Sequence, residues 1–550
     1  MSEEKPFPTR KIYRPGVVFQ PEAQRNIGRG IHALVAAIRP TLGPTARTVA
    51  VTRLDDARKP PDVLDNGGVI ARKLIEMGER DEDMGAMLAR ALICRQHEQM
   101  GDGSATAAVL LGAVYSGGAH YLAAGGNAMR LRHYLERALA EAIATLDEMT
   151  RPVSGVAKLA QVAEAICHDR PLSKLLGEIF DVIGAFGQLD VRKDQGRSLR
   201  REYIEGMFWN SGLVSRDMIA DQKELQTVYE EPAIVIADFQ INDPRHIMPM
   251  LELAVEQKIE KLLLIAGELD GDAIAGLLMA NGKLKNFQVM AVRGPGMNPD
   301  DRQAAVEDLA VVTGAVPMLK VMGQSLRDIR RENFGGARRA WASPHNFGII
   351  GGKGNPRQLR RHVSNLQAQY QRTDDMKRRG EIQARIGKLM GGSATLWIGG
   401  SSELEIEARK ELAEATATAM RAAVKEGALP GGGLSLLGCR ARLAARLGRA
   451  KDPDERAAYR IIHDALAEPA RAIYENAGYE PGEVFGRLTA AGAGCGFDAV
   501  NGCLTENGVL LDGAAIQKMA LKNAVMTAGM ALTIDVLVRH KTPEIARAPG

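Results

Sequence analysis

Between Pro21 and Thr41 the apolar residues Ile27, Ile31, Leu34, Val35 and Ile38 recur three and four apart, the spacing that lines one face of a helix. The pattern predicts a helix ending near Leu42-Gly43-Pro44, where glycine and proline halt it. Helical periods continue from Met84 to Met100, after Gly103-Ser104 through Ala107, Val109, Leu110, Leu111 and Val114, and over residues 128 to 150. The middle of the chain reads differently. Ile234-Val235-Ile236, Leu262 to Ile265 and Val289 to Val292 are short apolar runs bounded by proline, glycine or charge, with helical segments at 244–258, 271–280 and 299–313. Strand-helix alternation of this kind predicts an α/β layer with parallel strands. Beyond residue 405 the pattern is helical again, through Ile406–Glu426, Pro453–Ala477 and Ala514–His540. A helical domain built from both chain ends, with an α/β domain inserted, explains this order most simply.

Composition narrows the class. The 550 residues are 45% hydrophobic and 25% charged, which excludes bulk disorder. A formal charge of +4 gives no argument for nucleic acid or membrane, and 4% aromatics speaks against a β-sandwich. Met1 to Gln20 lacks the apolar stretch of a signal peptide, and no window approaches the length of a membrane span. Cys94, Cys167, Cys439, Cys495 and Cys503 are scattered, form no C-x-x-C and have no histidine at metal-ligand spacing, so free thiols in a cytoplasmic protein are expected. Segment 327–385 holds 14 Lys/Arg against 5 Asp/Glu, with Phe334, Trp341, Phe347 and Tyr370 among them. Without a nucleic-acid reader motif, a solvated face or subunit contact is the expectation there.

Three glycine-rich sites sit at predicted helix ends: Thr41-Leu42-Gly43-Pro44, Gly101-Asp102-Gly103-Ser104-Ala105-Thr106 and Pro430-Gly431-Gly432-Gly433. A Gly-Asp-Gly-Ser run opening a helix suits a phosphate, because free N–H groups and the positive dipole end face the anion. An aspartate there can hold Mg2+ against it. Alone, each site is as well explained by a helix cap, and none matches the P-loop pattern.

Together and in order they resemble the group I chaperonins, the bacterial-type ring-forming folding machines. The likeness runs from about Val17 to about His540. Besides the first two glycine sites it rests on Ala-Ala-Gly-Gly-Asn-Ala-Met at 123–129, Arg-Ala-Ala-Val-Lys-Glu-Gly-Ala-Leu-Pro-Gly-Gly-Gly at 421–433, Gly-Phe-Asp-Ala at 496–499, and Asp512 before a long apolar helix. The resemblance implies an α+β multidomain fold: a mostly helical equatorial domain from both chain ends (12–148 and 426–540), a hinge domain (149–204 and 394–425) and an inserted α/β apical domain (205–393). Segments 1–11 and 541–550 would be an N-terminal extension and a C-terminal tail lacking the family's glycine-methionine repeat.

The same resemblance implies ATP and Mg2+, with K+ as a further ion. Thr41, Leu42, Gly43 and Pro44 match the loop approaching the phosphates, and Asp102 the Mg2+ aspartate, followed by Gly103, Ser104, Ala105 and Thr106. Gly432 and Asp512 match the ribose contacts, and Asp498 stands where the family usually has Asn beside the adenine. Two hydrolytic positions depart. Asp65-Asn66-Gly67 places Asn66 where an aspartate orients water, and Ala415 falls at the catalytic aspartate of the hinge helix. Alanine can neither orient water nor accept its proton. ATP binding with impaired hydrolysis is expected; Asp65 or Glu414 as a relocated carboxylate is the alternative. A dedicated assembly scaffold is a second alternative, and a small-molecule phosphotransferase is poorly supported.

Helices at 244–258 and 271–280 are too apolar for ordinary surface helices. By resemblance Leu213, Met248, Leu251, Ile274, Leu278 and Met279 line a groove for non-native polypeptide and for a co-chaperonin lid of the ~10-kDa type. Asp217 and Met218 replace two aromatics there. The family assembles rings, so a homo-oligomer with seven subunits per ring is the corresponding expectation.

Overall fold

The computed structural model describes residues 16–52, 60–74, 80–222, 225–284, 286–296, 299–390, 392–492, 494–506 and 509–539. The expected N-terminal extension and C-terminal tail lie outside them. The chain divides into two compact units, one formed by residues up to Glu178 and from Glu411 onward, the other by Ile179–Lys410.

The first unit is helical, and both chain ends build it. Helices Glu22–Ile38, Arg80–Met100, Ser104–Ala123 and Ala128–Met149 come from the first half, and Leu434–Leu447, Pro453–Ala465 and Ala514–Leu532 from the second. Their apolar faces merge in one core, where Ile27, Ile31, Leu110, Leu111, Leu135, Ile462, Leu521 and Ala524 are fully buried. The last helix packs on both Ser104–Ala123 and Ala128–Met149. Two expectations need correction. The period over 453–477 is two helices, Pro453–Ala465 and Glu468–Asn476, because Pro469 has no N–H to donate and its ring collides with the preceding turn. The period from 514 ends at Leu532, and Val536–Arg539 is a strand antiparallel to Gly16–Phe19. Its alternation is legible: Val18 and Leu537 are buried while Val17, Phe19, Val536 and Val538 face out.

The second unit carries the α/β layer. Strands Gln288–Arg293, Lys261–Leu269 and Ala233–Ile241 are parallel neighbours, as the apolar runs predict. The sheet then continues antiparallel through Gly335–Ala342, Phe347–Gly352 and Met207–Trp209. In that half Ala337, Ala340 and Ala342 supply the core contacts of the first strand between exposed arginines, and Phe347, Ile349 and Trp209 those of the other two. A separate three-stranded sheet joins Gln188–Lys193, Gly392–Ile398 and Arg200–Glu205. No helix among the described residues is long and apolar enough to cross a membrane.

Helices Glu22–Ile38 and Arg80–Met100 touch backbone to backbone. A β-carbon on Gly30 would lie 1.7 Å from the Glu82 carbonyl oxygen and 2.7 Å from the Ala86 nitrogen. Helix propensity alone predicts that Gly30→Ala stabilises by up to ~1 kcal/mol; overpacking predicts a loss of ~1–3 kcal/mol or more. The second term wins, because backbone cannot move aside as a side chain can. Gly30→Ala is therefore expected to lower the thermal unfolding midpoint, measured by circular dichroism, and a raised midpoint would refute the contact.

Candidate functional site

Four turns in the helical unit converge. At the end of helix Glu22–Ile38 a short 3-10 turn, Arg39–Thr41, leads into Leu42 and Gly43. Gly43 has φ +103°, a conformation that only glycine adopts without strain. Thr41 is buried and donates from Oγ1 to the Ile38 carbonyl at 2.8 Å. Asn476 Nδ2 fixes the turn by donating to the Arg39 and Leu42 carbonyls at 2.9 and 2.8 Å. Leu42 itself packs with Ile473 and Phe497; Pro44 is exposed.

The second turn joins helices Arg80–Met100 and Ser104–Ala123 through Gly101, Asp102 and Gly103. Buried Gln96 holds it, donating from Nε2 to the Asp102 carbonyl at 3.1 Å while its own oxygen accepts from Asn523 at 3.1 Å. The sequence analysis does not single out Gln96 or Asn523, although an amide on an otherwise apolar helix face is the signal that marks such a brace. The following helix opens with Ser104, Ala105 and Thr106, so its free N–H groups and positive dipole end point beyond the turn. Ser104 Oγ is buried and has no hydrogen-bond partner among the described residues.

A third turn, Asn66-Gly67-Gly68, lies against both. A β-carbon on Gly67 would sit 3.5 Å from the Ala105 nitrogen and 3.6 Å from Thr41 Oγ1. The Asn66 side chain is committed to capping helix Gly67–Lys73, accepting from the Gly68 and Val69 nitrogens at 2.9 and 3.2 Å. Asp65 is exposed.

The fourth is the glycine run after strand Ala428–Pro430, which pairs Leu429 with Asp512 on Leu511–Gly513. A β-carbon on Gly431 would be 3.0 Å from Asp512 Oδ1, so glycine lets the loop close over the carboxylate. Gly432 approaches the Phe497 carbonyl at 4.0 Å by the same measure. Asp512 accepts from Gln517 Nε2 at 3.0 Å. Burial, reinforced by the charge of Asp102, pushes its carboxyl up to about 7. Burial also raises Asp102, against the opposing pull of the Gly103 N–H and His168. Each keeps some opening to solvent, and burial penalises the charged form of both. Among the described residues no group of three or more His, Cys, Asp or Glu could hold a metal. A divalent ion at Asp102 therefore needs oxygens from a ligand such as a polyphosphate.

Asp498 closes the hairpin Cys495–Asp498/Cys503–Glu506. Its oxygens accept from the Val500 and Asn501 nitrogens and from Asn501 Nδ2 at 2.9, 3.1 and 2.7 Å, so its carboxylate already serves its own turn. Helix Glu403–Glu426 brings Ala415 to the second turn: a β-carbon on Gly101 would be 2.1 Å from the Ala415 carbonyl oxygen and 3.2 Å from Thr418 Cβ. Glu414 faces elsewhere and is exposed, as the ~100° step between consecutive helical residues requires. A cavity of about 860 Å³ bounded by His32, Val109 and Arg460 lies in the same unit and touches the four turns only at Arg39.

In the α/β unit, helices Met248–Glu256 and Gly271–Lys283 bury Met250, Leu251 and Ala254, and Ala273, Leu277 and Ala280, in the same core. Met248 and Met279 are 50% and 56% exposed. Leu213, Ile274 and Leu278 are half-buried against that core. Leu251, at 5% exposure, offers almost nothing to a partner. Asp217 is exposed and Met218 turns inward, where its sulfur accepts from the Ala291 nitrogen.

Known proteins share this architecture. Two crystal forms of the chaperonin gp146 from bacteriophage EL 2 (Pseudomonas aeruginosa), both obtained in the presence of ATP-BeFx, superpose with TM-scores of 0.67 and 0.60. Each match has 17% identity and covers 96% of this chain and 99% of that one, which establishes a shared multidomain fold. At the level of sequence, the profile of the TCP-1/cpn60 chaperonin family matches residues 34–268 and 277–542. That span takes in all four turns, helix Met248–Glu256, the C-terminal half of helix Gly271–Lys283 and the final strand, and the chain belongs to the TCP-1/cpn60 chaperonin family.

Proposed function

We propose that the protein is an ATP-binding chaperonin subunit that captures non-native polypeptide and turns nucleotide over slowly. The observation that carries the nucleotide half is the orphaned, buried Ser104 hydroxyl at the start of a 20-residue helix, beside two carboxylates whose burial penalises their charge. A nucleotide with Mg2+ satisfies all three at once: the phosphates take the hydroxyl and the free N–H groups, the cation relieves Asp102, and the ribose hydroxyls donate to Asp512. The phage chaperonin crystallised with ATP-BeFx supports the same ligand class. In this reading Thr41 to Pro44 flank the phosphates, Gly432 and Asp512 the ribose, and Asp498 the base; K+ is a further ion of the site. Residues 149–204 and 394–425 act as a hinge between the equatorial and apical parts, in a seven-membered ring with a co-chaperonin lid in the cytoplasm.

Slow turnover follows from what stands beside Gly101. Ala415 presents only a methyl and a carbonyl there, and Asn66 is occupied with its helix cap, so no carboxylate of these two positions orients water. Relocation of the base to Glu414 is disfavoured by its exposure on another helix face. Steady-state ATPase assays with calorimetry decide between the readings. Binding with barely measurable hydrolysis is expected, and Ala415→Asp should raise turnover by about 10²-fold or more. Ordinary turnover in the unmodified protein would sink the slow-turnover reading; absence of ATP binding would sink the nucleotide reading altogether.

Asp512 makes the nucleotide-free protein pH-sensitive. Its folded value, about 7, lies above that of an exposed carboxyl, so the folded state holds the proton more tightly than the unfolded chain. Stability is accordingly greatest below the ordinary carboxylate range and falls as pH rises toward 7. Asp512→Asn should flatten that part of a urea-denaturation series taken from pH 4.5 to 7.5 (about the window between the two values); an unchanged slope would contradict the buried pair.

For the capturing half, Met248 and Met279 are the side chains with free area. Replacing both by Ser should weaken suppression of aggregation of a denatured client several-fold while leaving the melting temperature nearly unchanged. Leu251→Ala should instead destabilise by ~2–5 kcal/mol. If the methionine pair is silent and soluble Leu251→Ala alone loses capture, the binding face lies elsewhere.

A further inference from the structure

The structure sorts the basic residues of segment 327–385 into two classes. Arg339 pairs with Glu230 at 2.7 Å, Lys353 with Glu231, and Arg385 with buried Asp308 at 2.8 Å, which also accepts His362 at 2.7 Å. Arg379 lies over the Tyr370 ring at 4.5 Å. Apart from Arg327, Arg330, Arg331 and Arg338, which precede it in the chain, the remaining class gathers on one helical hairpin. Helix Pro356–Arg372 carries Arg357, Arg360, Arg361 and Arg372 and contains no Asp or Glu. Helix Met376–Leu389 adds Lys377 and Arg378 in its first turn. All six are exposed, and none has a carboxylate partner among the described residues.

Two independent features set this face apart from an ordinary solvated one. Cations in the first turn of a helix oppose its dipole, so Lys377 and Arg378 stand where local electrostatics disfavours them. The Asp375 carboxylate does not neutralise them by pairing; it caps the helix, accepting from the Lys377 and Arg378 backbone nitrogens at 2.9 and 3.4 Å. A local rule broken without local compensation points to a partner. The platform is also rigid. Leu366, Tyr370, Ile382, Ile386 and Leu389 seat the hairpin in the core, and the Asp308 cluster ties both its helices to helix Pro299–Thr313.

We propose that this basic hairpin docks an acidic polypeptide segment. The choice over nucleic acid rests on two observations. Tyr370, the hairpin's only Phe, Tyr or Trp, is buried, so no aromatic platform for stacked bases exists there. The segment's excess of nine basic residues exceeds the whole chain's +4, which makes the rest of the chain net acidic. A uniformly charged duplex reaching past the hairpin meets that repulsion, whereas a short acidic segment fits within the stripe of ~22 Å between Arg357 and Arg372. The docked segment belongs to a client with clustered Asp and Glu, held on the same unit that presents Met248 and Met279.

The test is fluorescence anisotropy of a labelled decaglutamate peptide with the full-length protein, beside single-stranded and duplex DNA of matched charge. The peptide is expected to bind, weakening about tenfold or more between roughly 50 and 200 mM NaCl. Arg357→Glu combined with Arg361→Glu should reduce affinity about tenfold or more, with thermal midpoint and ATP binding unchanged. Equal affinity in the variant overturns the proposal. So does DNA binding tighter than peptide binding and lost in the same variant, which assigns the face to nucleic acid. A variant that dissociates the assembly in sedimentation velocity, with peptide binding intact, assigns it to a second copy of the chain.

Discussion

Two carboxylates that cannot both be comfortable when charged organise the helical unit. Asp102 and Asp512 come from opposite halves of the chain and lie near one another, where burial raises both and the charge of Asp102 raises Asp512 further. Holding them there takes much of the surrounding architecture: Gln96 and Asn523 brace the Asp102 turn, Gln517 donates to Asp512, and Gly431 leaves room for the carboxylate. An arrangement that costs stability when empty favours whatever compensates it. In the proposed reading that compensation comes from a nucleotide and its cation.

Much of this was legible in the sequence because the signals are long or chemically sharp. Helices of three turns or more declare themselves by their period, and the three apolar runs of the α/β unit by their abruptness. The glycine turns could be located, but their convergence could not, since it depends on contacts such as Gly67 with Thr41 and Gly101 with Ala415 that no local pattern encodes. Strand Gly335–Ala342 is hard to read because alanines fill its core positions, and Met207–Trp209 is only three residues long. The terminal strand was absorbed into the helix before it, where apolar residues run on without a break. Leu251 shows a further limit: an apolar helix face is visible in sequence, but which of its residues turn toward the sheet is not.

In the proposed reading the site separates ligand recognition from chemistry along the chain. Its recognition elements sit on turns between buried helices, while the positions assigned to hydrolysis lie on the cap of a short helix at Asn66 and on the passing helix at Ala415. Substitution at those two places leaves the cleft's packing intact, because Asn66 still caps its helix and Ala415 contributes only backbone to the contact with Gly101. On that reading, changes at these two positions alter turnover without disturbing the packing that holds the site.

The pairing of Gly16–Phe19 with Val536–Arg539, and the seat of helix Ala514–Leu532 between Ser104–Ala123 and Ala128–Met149, bear on the order of synthesis. The early helices emerge from the ribosome first, yet the surface that covers Leu110, Leu111 and Leu135 is made last. At ~5–20 residues per second those apolar faces await their partner for on the order of tens of seconds, while the inserted unit is completed in between. The nascent chain thus presents to the cell the kind of exposed, unfinished surface that chaperones exist to cover.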